Sequence, residues 1–205
     1  MTNSSSKNIL RVAAAGAGKT YRICSEAINE AEAPGDSKNC YGNVLLTSYA
    51  NKAELSIDEE LRKQCNGIIP SHIEVMSWYS FLINEMIKPY QSNMYDIFSL
   101  NGLYFNPHSS PNWHRKGEPQ RYATQNGDIV SEQAAELAIE LNRLSNGAVI
   151  HRLENIFTHI FIDEAQDLNG YDIDIVELLL NSKISVTLVG DGKQAIFKTN
   201  YSSKM

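Results

Sequence analysis

The chain has 205 residues, 42% of them hydrophobic, a length and composition that suit one domain with a real core and an insert. Its formal charge of −6 excludes a protein that holds nucleic acid by bulk electrostatics, so any DNA contact must be local. The three cysteines, Cys24, Cys40 and Cys65, form no CxxC pair; that spacing speaks against a metal framework and suits a reducing interior.

Met1 to Asn8 is polar and Ser-rich and carries no apolar secretion signal. No run reaches the ~18 apolar residues of a membrane helix. The expectation is a cytoplasmic protein with no membrane partner. Ile9 to Ala15 reads as a buried strand entering a Gly-rich turn, and Thr20 to Glu32 as a helix closed by Pro34-Gly35. Val44 to Thr47 is a second strand, Lys52 to Gln64 a second helix, and Ile73 to Met76 a third strand. An amphipathic segment from Trp78 to Ile87 follows and ends before Pro89. Gln91 to Asp128 is rich in Asn, Ser, Gly and Pro without a sustained period, the mark of an insertion or functional loop region. Ser131 to Leu144 returns to helix, with Ala134, Leu137, Ala138, Leu141 and Leu144 on one stripe. Strand His159 to Asp163, helix Tyr171 to Leu180 and strand Ser185 to Val189 resume the βαβ rhythm of an α/β fold with a mostly parallel sheet.

Two segments carry chemistry. Ala13 to Thr20 places Gly16-Ala17-Gly18-Lys19-Thr20 between a strand and a helix, where converging N–H groups and the helix dipole favour phosphate. Lys19 suits the β- and γ-phosphates and the Thr20 hydroxyl suits magnesium. A plain Gly turn with an exposed lysine is the alternative for this segment taken alone. The strand that ends at Asp163-Glu164 delivers two acids to the carboxyl edge of the sheet, where open α/β sheets bind ligands. One acid can serve the metal and the next the attacking water; Asp163 is assigned to the metal and Glu164 to the water. Helix capping is the alternative for these acids, and for Asp167 in particular.

With these motifs placed, the chain resembles the first RecA-like domain of superfamily 1A helicases, the UvrD/Rep/PcrA group. Ala13 to Thr20 is similar to AGAGSGKT, and Ser48-Tyr49-Ala50-Asn51-Lys52-Ala53-Glu54 to TFTNKAA. Ser77-Trp78-Tyr79-Ser80-Phe81 is similar to TFHSF, Asp163 to Asp167 to DEXQD, and Val189 to Phe197 to VGDXXQSIY. The resemblance implies a RecA-like P-loop NTPase fold with helices on both faces of the sheet and a small inserted subdomain. It assigns residues 1–90 and 145–205 to the ATP-binding 1A domain and 91–144 to a 1B-like insert, with the second RecA-like domain absent.

The function implied is ATP-dependent translocation on single-stranded or partly duplex DNA, with ATP and Mg2+ as cofactors. Lys19, Glu164 and Gln194 would be catalytic, Gln194 sensing the γ-phosphate. Ala15, Gly16, Ala17, Gly18, Lys19, Thr20 and Tyr21 would hold the nucleotide, and Thr20 with Asp163 the metal. Ser48, Tyr49, Asn51, Ser77, Trp78, Tyr79 and Ser80 would meet DNA; packing beneath a helix stays open for Trp78 and Tyr79. A second RecA-like domain or a partner chain would supply the arginine, without which this chain binds Mg-ATP with little turnover.

Three departures stand out. No glutamine precedes Ala13, which leaves adenine selectivity open, Tyr21 stands where the family has Arg, and the later family motifs are missing. Trp113, His114, Arg115, Lys116, Arg121 and Tyr122 form a basic-aromatic cluster that reads as a DNA contact or, more simply, a solvated loop. Two rival functions are a non-catalytic nucleotide-binding partner module and a small-molecule P-loop kinase, the latter having no need of the VGDGKQ segment.

Overall fold

The computed structural model describes residues 8–12, 18–32, 43–49, 51–94, 100–105 and 114–191. Ala13 to Ala17, Ala50, Trp113, Lys193 and Gln194, together with the side chains of Asn51 and Lys52, lie outside the described residues. The chain divides into two compact units, Met1–Trp78 with Leu153–Met205, and Tyr79–Arg152.

The first unit is built on five parallel strands: β1 (Ile9–Val12), β2 (Asn43–Ser48), β3 (Ile73–Ser77), β6 (Phe157–Asp163) and β7 (Ser185–Gly190), in the order β1-β7-β6-β2-β3. The central strands are buried on both sides, which is why β2 and β6 read as near-continuous apolar runs. Helices α1 (Lys19–Glu32) and α2 (Asn51–Gln64) connect β1 to β2 and β2 to β3. Ile23, Cys24, Ala27 and Ala31 of α1, with Ile57 and Leu61 of α2, pack on Val44, Leu46, Ile73, Phe161 and Val189.

Helix α7 (Tyr171–Leu180) connects β6 to β7, a step in the opposite direction across the sheet. A right-handed crossover taken in that direction must use the other face. Strand alternation agrees: Ile173, Val176 and Leu180 line a groove with Leu188, the neighbour of Val189 that points the opposite way. The fold is therefore α/β with helices on both faces. Register lines up Ser77, Ser48 and Asp163 at the carboxyl ends of β3, β2 and β6.

In the second unit, helical backbone begins with α3 (Trp78–Phe81), which starts at the last residue of the first unit, and changes character twice. A π turn spans Leu82–Ile87 and a 3-10 turn Lys88–Asn93. The amphipathic segment ends at Ile87, as expected, and helical backbone continues in a different form: Pro89 sits in the first turn of the new 3-10 segment, where it has no intrahelical N–H to lose. The patternless stretch contains the two-residue strand β4 (Leu103–Tyr104) and one turn of helix, α4 (Pro119–Tyr122); β4 pairs in parallel with β5 (Ile129–Val130), which follows directly after the stretch.

The next helix, α5 (Ala134–Leu144), packs on the π turn and buries Ala134, Leu137, Ala138 and Leu141, while Leu144 at the end of the stripe is exposed. A further helix, α6 (Ala148–Ile156), was not anticipated; Asn146 and Gly147, both with positive φ, separate it from α5. No helix among the described residues is long and apolar enough to cross a membrane.

Candidate functional site

The site is assembled at the carboxyl ends of the strands in the first unit. Gly18 has a φ of +71° and leads directly into α1. A side chain there would meet open space, so the backbone angle is what calls for glycine. Lys19 and Thr20 are the first two residues of the helix, where orphan N–H groups and the positive dipole end point at the same space.

Strand β6 brings the acids. Asp163, its last residue, is 3% exposed, and its Oδ1 accepts the Glu164 N–H at 2.9 Å. Burial pushes its carboxyl above the usual range; the Glu164 N–H and the Lys19 charge pull it back, and the Glu164 charge adds to the rise. The chain then turns through Glu164 in the left-handed conformation, φ 52° and ψ 41°, into a 3-10 turn at Ala165–Asp167. A non-glycine residue held there is strained, and such strain concentrates at functional sites. The turn throws the Glu164 side chain towards α1. Its Oε2 lies 3.3 Å from Lys19 Nζ, with the lysine side chain only 10% exposed. Two residues 145 positions apart are thus joined.

Around this pair the contacts continue. Gln166 Nε2 donates to Glu164 Oε2 at 2.6 Å, and the Asp191 N–H donates to Gln166 Oε1 at 3.1 Å. Sequence reasoning quoted Gln166 within its motif but gave it no task; its place two residues after Glu164 was the available signal. Ser48 is buried, and its hydroxyl has no hydrogen-bond partner among the described residues. The Cys24 thiol of α1 is pushed up to about 12, mostly by burial, with Glu60, Asp163 and Cys65 adding to it. It is a small core residue rather than a nucleophile. Tyr21, expected beside the nucleotide, is exposed, and its carbonyl accepts Gln64 Nε2 at 3.0 Å.

The residues expected at DNA separate by burial. Ser48, Ser77 and Trp78 are buried, whereas Tyr49, Tyr79 and Ser80 are half-buried. The Trp78 indole N–H donates to Asp172 Oδ1 at 2.7 Å, and no part of the ring faces solvent. For Trp78 the geometry is that of the packing alternative. In the second unit, Tyr79 meets the exposed Phe105 edge-on, ring centroids 6.0 Å apart.

The basic-aromatic cluster also divides. His114, Arg115 and Lys116 are exposed. Arg121 instead sends Nε and Nη2 to Glu136 Oε2, at 3.0 and 2.8 Å, and Tyr122 is fully buried with its hydroxyl accepting the Gly117 N–H.

Comparison with known families matches the UvrD/REP helicase N-terminal domain to residues 77–202, more than half of the chain. The span contains both the Asp163–Asp167 and the Val189–Phe197 motifs and leaves the phosphate loop outside it. No curated protein matches the chain. Proteins of this family are helicases that use ATP and Mg2+ and act on DNA. With its parallel RecA-like sheet and the acid pair at the end of β6, the chain belongs to the UvrD/REP helicase N-terminal domain family.

Proposed function

We propose that this chain binds Mg-ATP at the carboxyl ends of β1 and β6 and forms the nucleotide-hydrolysing half of a DNA translocase. The observation that carries the reading is the 3.3 Å approach of Lys19 Nζ to Glu164 Oε2. An ammonium and a carboxylate selected from distant motifs meet where a helix N-terminus can also receive phosphate.

In this reading the backbone from Ala15 to Thr20, with Tyr21, cradles the phosphates, and Lys19 neutralises their charge. Glu164 orients the attacking water and takes its proton. Gln194 senses the γ-phosphate. Thr20 and Asp163 offer the hard oxygen ligands that magnesium prefers. The donor set fits: the Asp163 carboxylate is disfavoured as an anion by burial, so a divalent cation beside it relieves that cost, and the unpartnered Ser48 hydroxyl lies in register with it. Bound magnesium would supply charge neutralisation for phosphoryl transfer.

DNA recognition falls to residues that keep exposed surface. Tyr79 with Phe105 offers aromatic faces for stacking, and Tyr49 and Ser80 offer polar contacts to the backbone; Asn51, whose side chain lies outside the described residues, joins them by its place in the motif. Motor action further requires a second RecA-like domain, in continuation or in a partner chain, whose arginine completes the site and whose closure converts hydrolysis into stepping. A cytoplasmic location goes with this reading.

The test measures Mg-ATP affinity with a fluorescent analogue and hydrolysis with and without single-stranded DNA. Lys19→Ala should weaken binding by about tenfold or more, through loss of a charge-assisted contact. Glu164→Gln should leave binding in place and slow hydrolysis by about 10²- to 10⁴-fold, the usual contribution of a general base. A wild-type chain that does not bind Mg-ATP at millimolar concentration would sink the proposal. Binding that is retained, with hydrolysis indifferent to Glu164→Gln even when a second domain and DNA are supplied, would instead make the chain a non-catalytic partner module.

A further inference from the structure

Gln166 belongs to the acid-pair motif yet has no part in the chemistry above. Its amide is used at both ends. Nε2 donates to Glu164 Oε2 at 2.6 Å, and Oε1 accepts the backbone N–H of Asp191 at 3.1 Å. The two partners arrive on different strands: Glu164 follows β6, and Asp191 is the first residue after β7. Glu164 Oε2 is also the atom that faces Lys19 Nζ. An unbroken polar path therefore runs from the first residue of α1, through Glu164 and Gln166, to the backbone that leaves β7.

The residue type matches that task. Glutamine is the neutral side chain of this length with a donor at one branch and an acceptor at the other. Glutamate in its place would set an acceptor against the Glu164 carboxylate. Gly190 shows how closely the amide is seated. A Cβ on that residue would lie 2.9 Å from Gln166 Oε1, while the next nearest atoms, the Gln166 and Ala165 nitrogens, would be at 3.6 and 3.9 Å. Glycine at this position leaves room for one particular oxygen. The left-handed backbone at Glu164 is strained, and such a conformation persists only where surrounding contacts hold it; the Gln166 amide is one of them.

We infer that Gln166 is a positioning residue: it holds the Glu164 carboxylate in direction and links it to the backbone at Asp191, so that a change at the nucleotide is felt where the chain leaves β7. The inference rests on the ATP-site reading given above. In that reading Lys19 is shared between Glu164 and phosphate, so phosphate binding alters the load on Glu164 Oε2, and among the described residues Gln166 is the other side chain that holds that atom. Its rigid amide passes the change to the Asp191 N–H. The two sites are coupled through a defined hydrogen-bonded element rather than by nearness alone.

Three measurements on the same set of proteins test this. Amide hydrogen exchange at Asp191 should quicken by about tenfold in Gln166→Ala, as expected when a buried N–H loses its acceptor. Single-turnover ATP hydrolysis should slow by about tenfold in Gln166→Ala, the cost of misdirecting a general base, with Mg-ATP affinity within about threefold of wild type. Gly190→Ala, which displaces the same oxygen, should reproduce both effects. The double variant Gln166→Ala with Gly190→Ala should be no worse than either single one, because the clash vanishes with the side chain.

Normal nucleotide binding together with unchanged Asp191 exchange overturns the inference alone. So does a double variant whose losses multiply, or a Gln166→Ala protein whose affinity and rate fall by the same factor. A wild-type chain that binds no Mg-ATP overturns the ATP-site reading and this inference with it.

Discussion

Three glutamates of the second unit and Asp163 of the first are held in opposite ways. In the second unit three glutamates are matched by a guanidinium: Glu136 through its Oε2 by Arg121 at 2.8 Å, Glu85 by Arg152 at 3.0 Å, and Glu140 by Arg143, while Glu136 Oε1 has no hydrogen-bond partner among the described residues. The Arg143 hydrogen bond holds the Glu140 carboxyl below its ordinary range. In the first unit Asp163 is as deeply buried, yet its neighbours are a backbone N–H, a second carboxylate and one lysine, and burial drives it above its ordinary range. A buried charge that the protein itself satisfies belongs to the scaffold. One that it leaves disfavoured at a strand end is poised for a ligand of opposite sign.

The largest expected effect breaks that comparison from the scaffold side. Arg121→Ala leaves Glu136 with a side chain only 2% exposed and no guanidinium. Removing one partner of a buried pair costs about 3 to 5 kcal/mol. Urea unfolding should report most of that loss, while Mg-ATP affinity measured under native conditions stays within about twofold, since neither residue belongs to the phosphate loop or the acid pair. A loss below about 1 kcal/mol would put this pair among exposed ion pairs and remove the contrast.

A somewhat smaller effect sharpens the comparison from the side of the first unit. His159 lies on β6, stacked on Phe161 with ring centroids 4.1 Å apart, and its Nε2 meets Thr187 Oγ1 at 2.8 Å. Burial lowers its pKa to about 4. Because the folded state disfavours the protonated ring, the associated stability is complete above the unfolded value of about 6.5 and is lost as pH falls towards 4. The full span is about 3 kcal/mol at 1.36 kcal/mol per unit, reduced by Glu30, whose Oε2 stands 3.9 Å from Nδ1. Stability measured at pH 7 and at pH 4 should show this slope in the wild type and its absence in His159→Phe. That variant will be less stable at pH 7, since Thr187 loses its partner, and the deficit should close or reverse by pH 4 as the wild type loses its own stability.

How much of this was legible in the sequence follows from what each feature depends on. Strands β2 and β6 were readable because burial on both faces forces unbroken apolar runs, whereas β1, expected as a buried strand, alternates and leaves Leu10 and Val12 exposed; α7 was readable from Tyr171 to Leu180 because its boundaries coincide with a loop and an Asn-Ser turn. Helix α6 was missed: it is nine residues long, and the Asn146-Gly147 break reads as the start of a loop. The π and 3-10 turns from Leu82 to Asn93 abandon the 3.6-residue period on which such reading relies. At the site, the meeting of Lys19 with Glu164 was foreseeable from strand-end logic. The bridge through Gln166 was not, because it turns on the direction of one amide. The pairing of Glu136 with Arg121, fifteen positions earlier, depends on tertiary packing and leaves no mark in the sequence.

Trp78 shows most plainly where pattern ends and packing decides, and it supplies the smallest of the effects. An indole in a motif similar to one that meets DNA carries no mark that tells a stacking face from a core residue. Here the ring is buried and its N–H reaches Asp172 Oδ1 at 2.7 Å, in the first turn of α7. Asp172 is itself pushed up by burial, and the indole and the Asn169 N–H pull it back. Trp78→Phe removes a hydrogen bond to a buried charge and some volume, and should cost about 2 kcal/mol. Asp172→Asn keeps an acceptor for the indole while discarding the disfavoured charge, so it should cost little or stabilise the fold. If the ring is core, single-stranded DNA affinity measured well below the melting transition of both proteins should be the same for Trp78→Phe and wild type. If it stacks on a base, that affinity should fall by about tenfold, the effect of losing one aromatic platform. An affinity that falls while stability holds would move Trp78 out of the scaffold and into the DNA path.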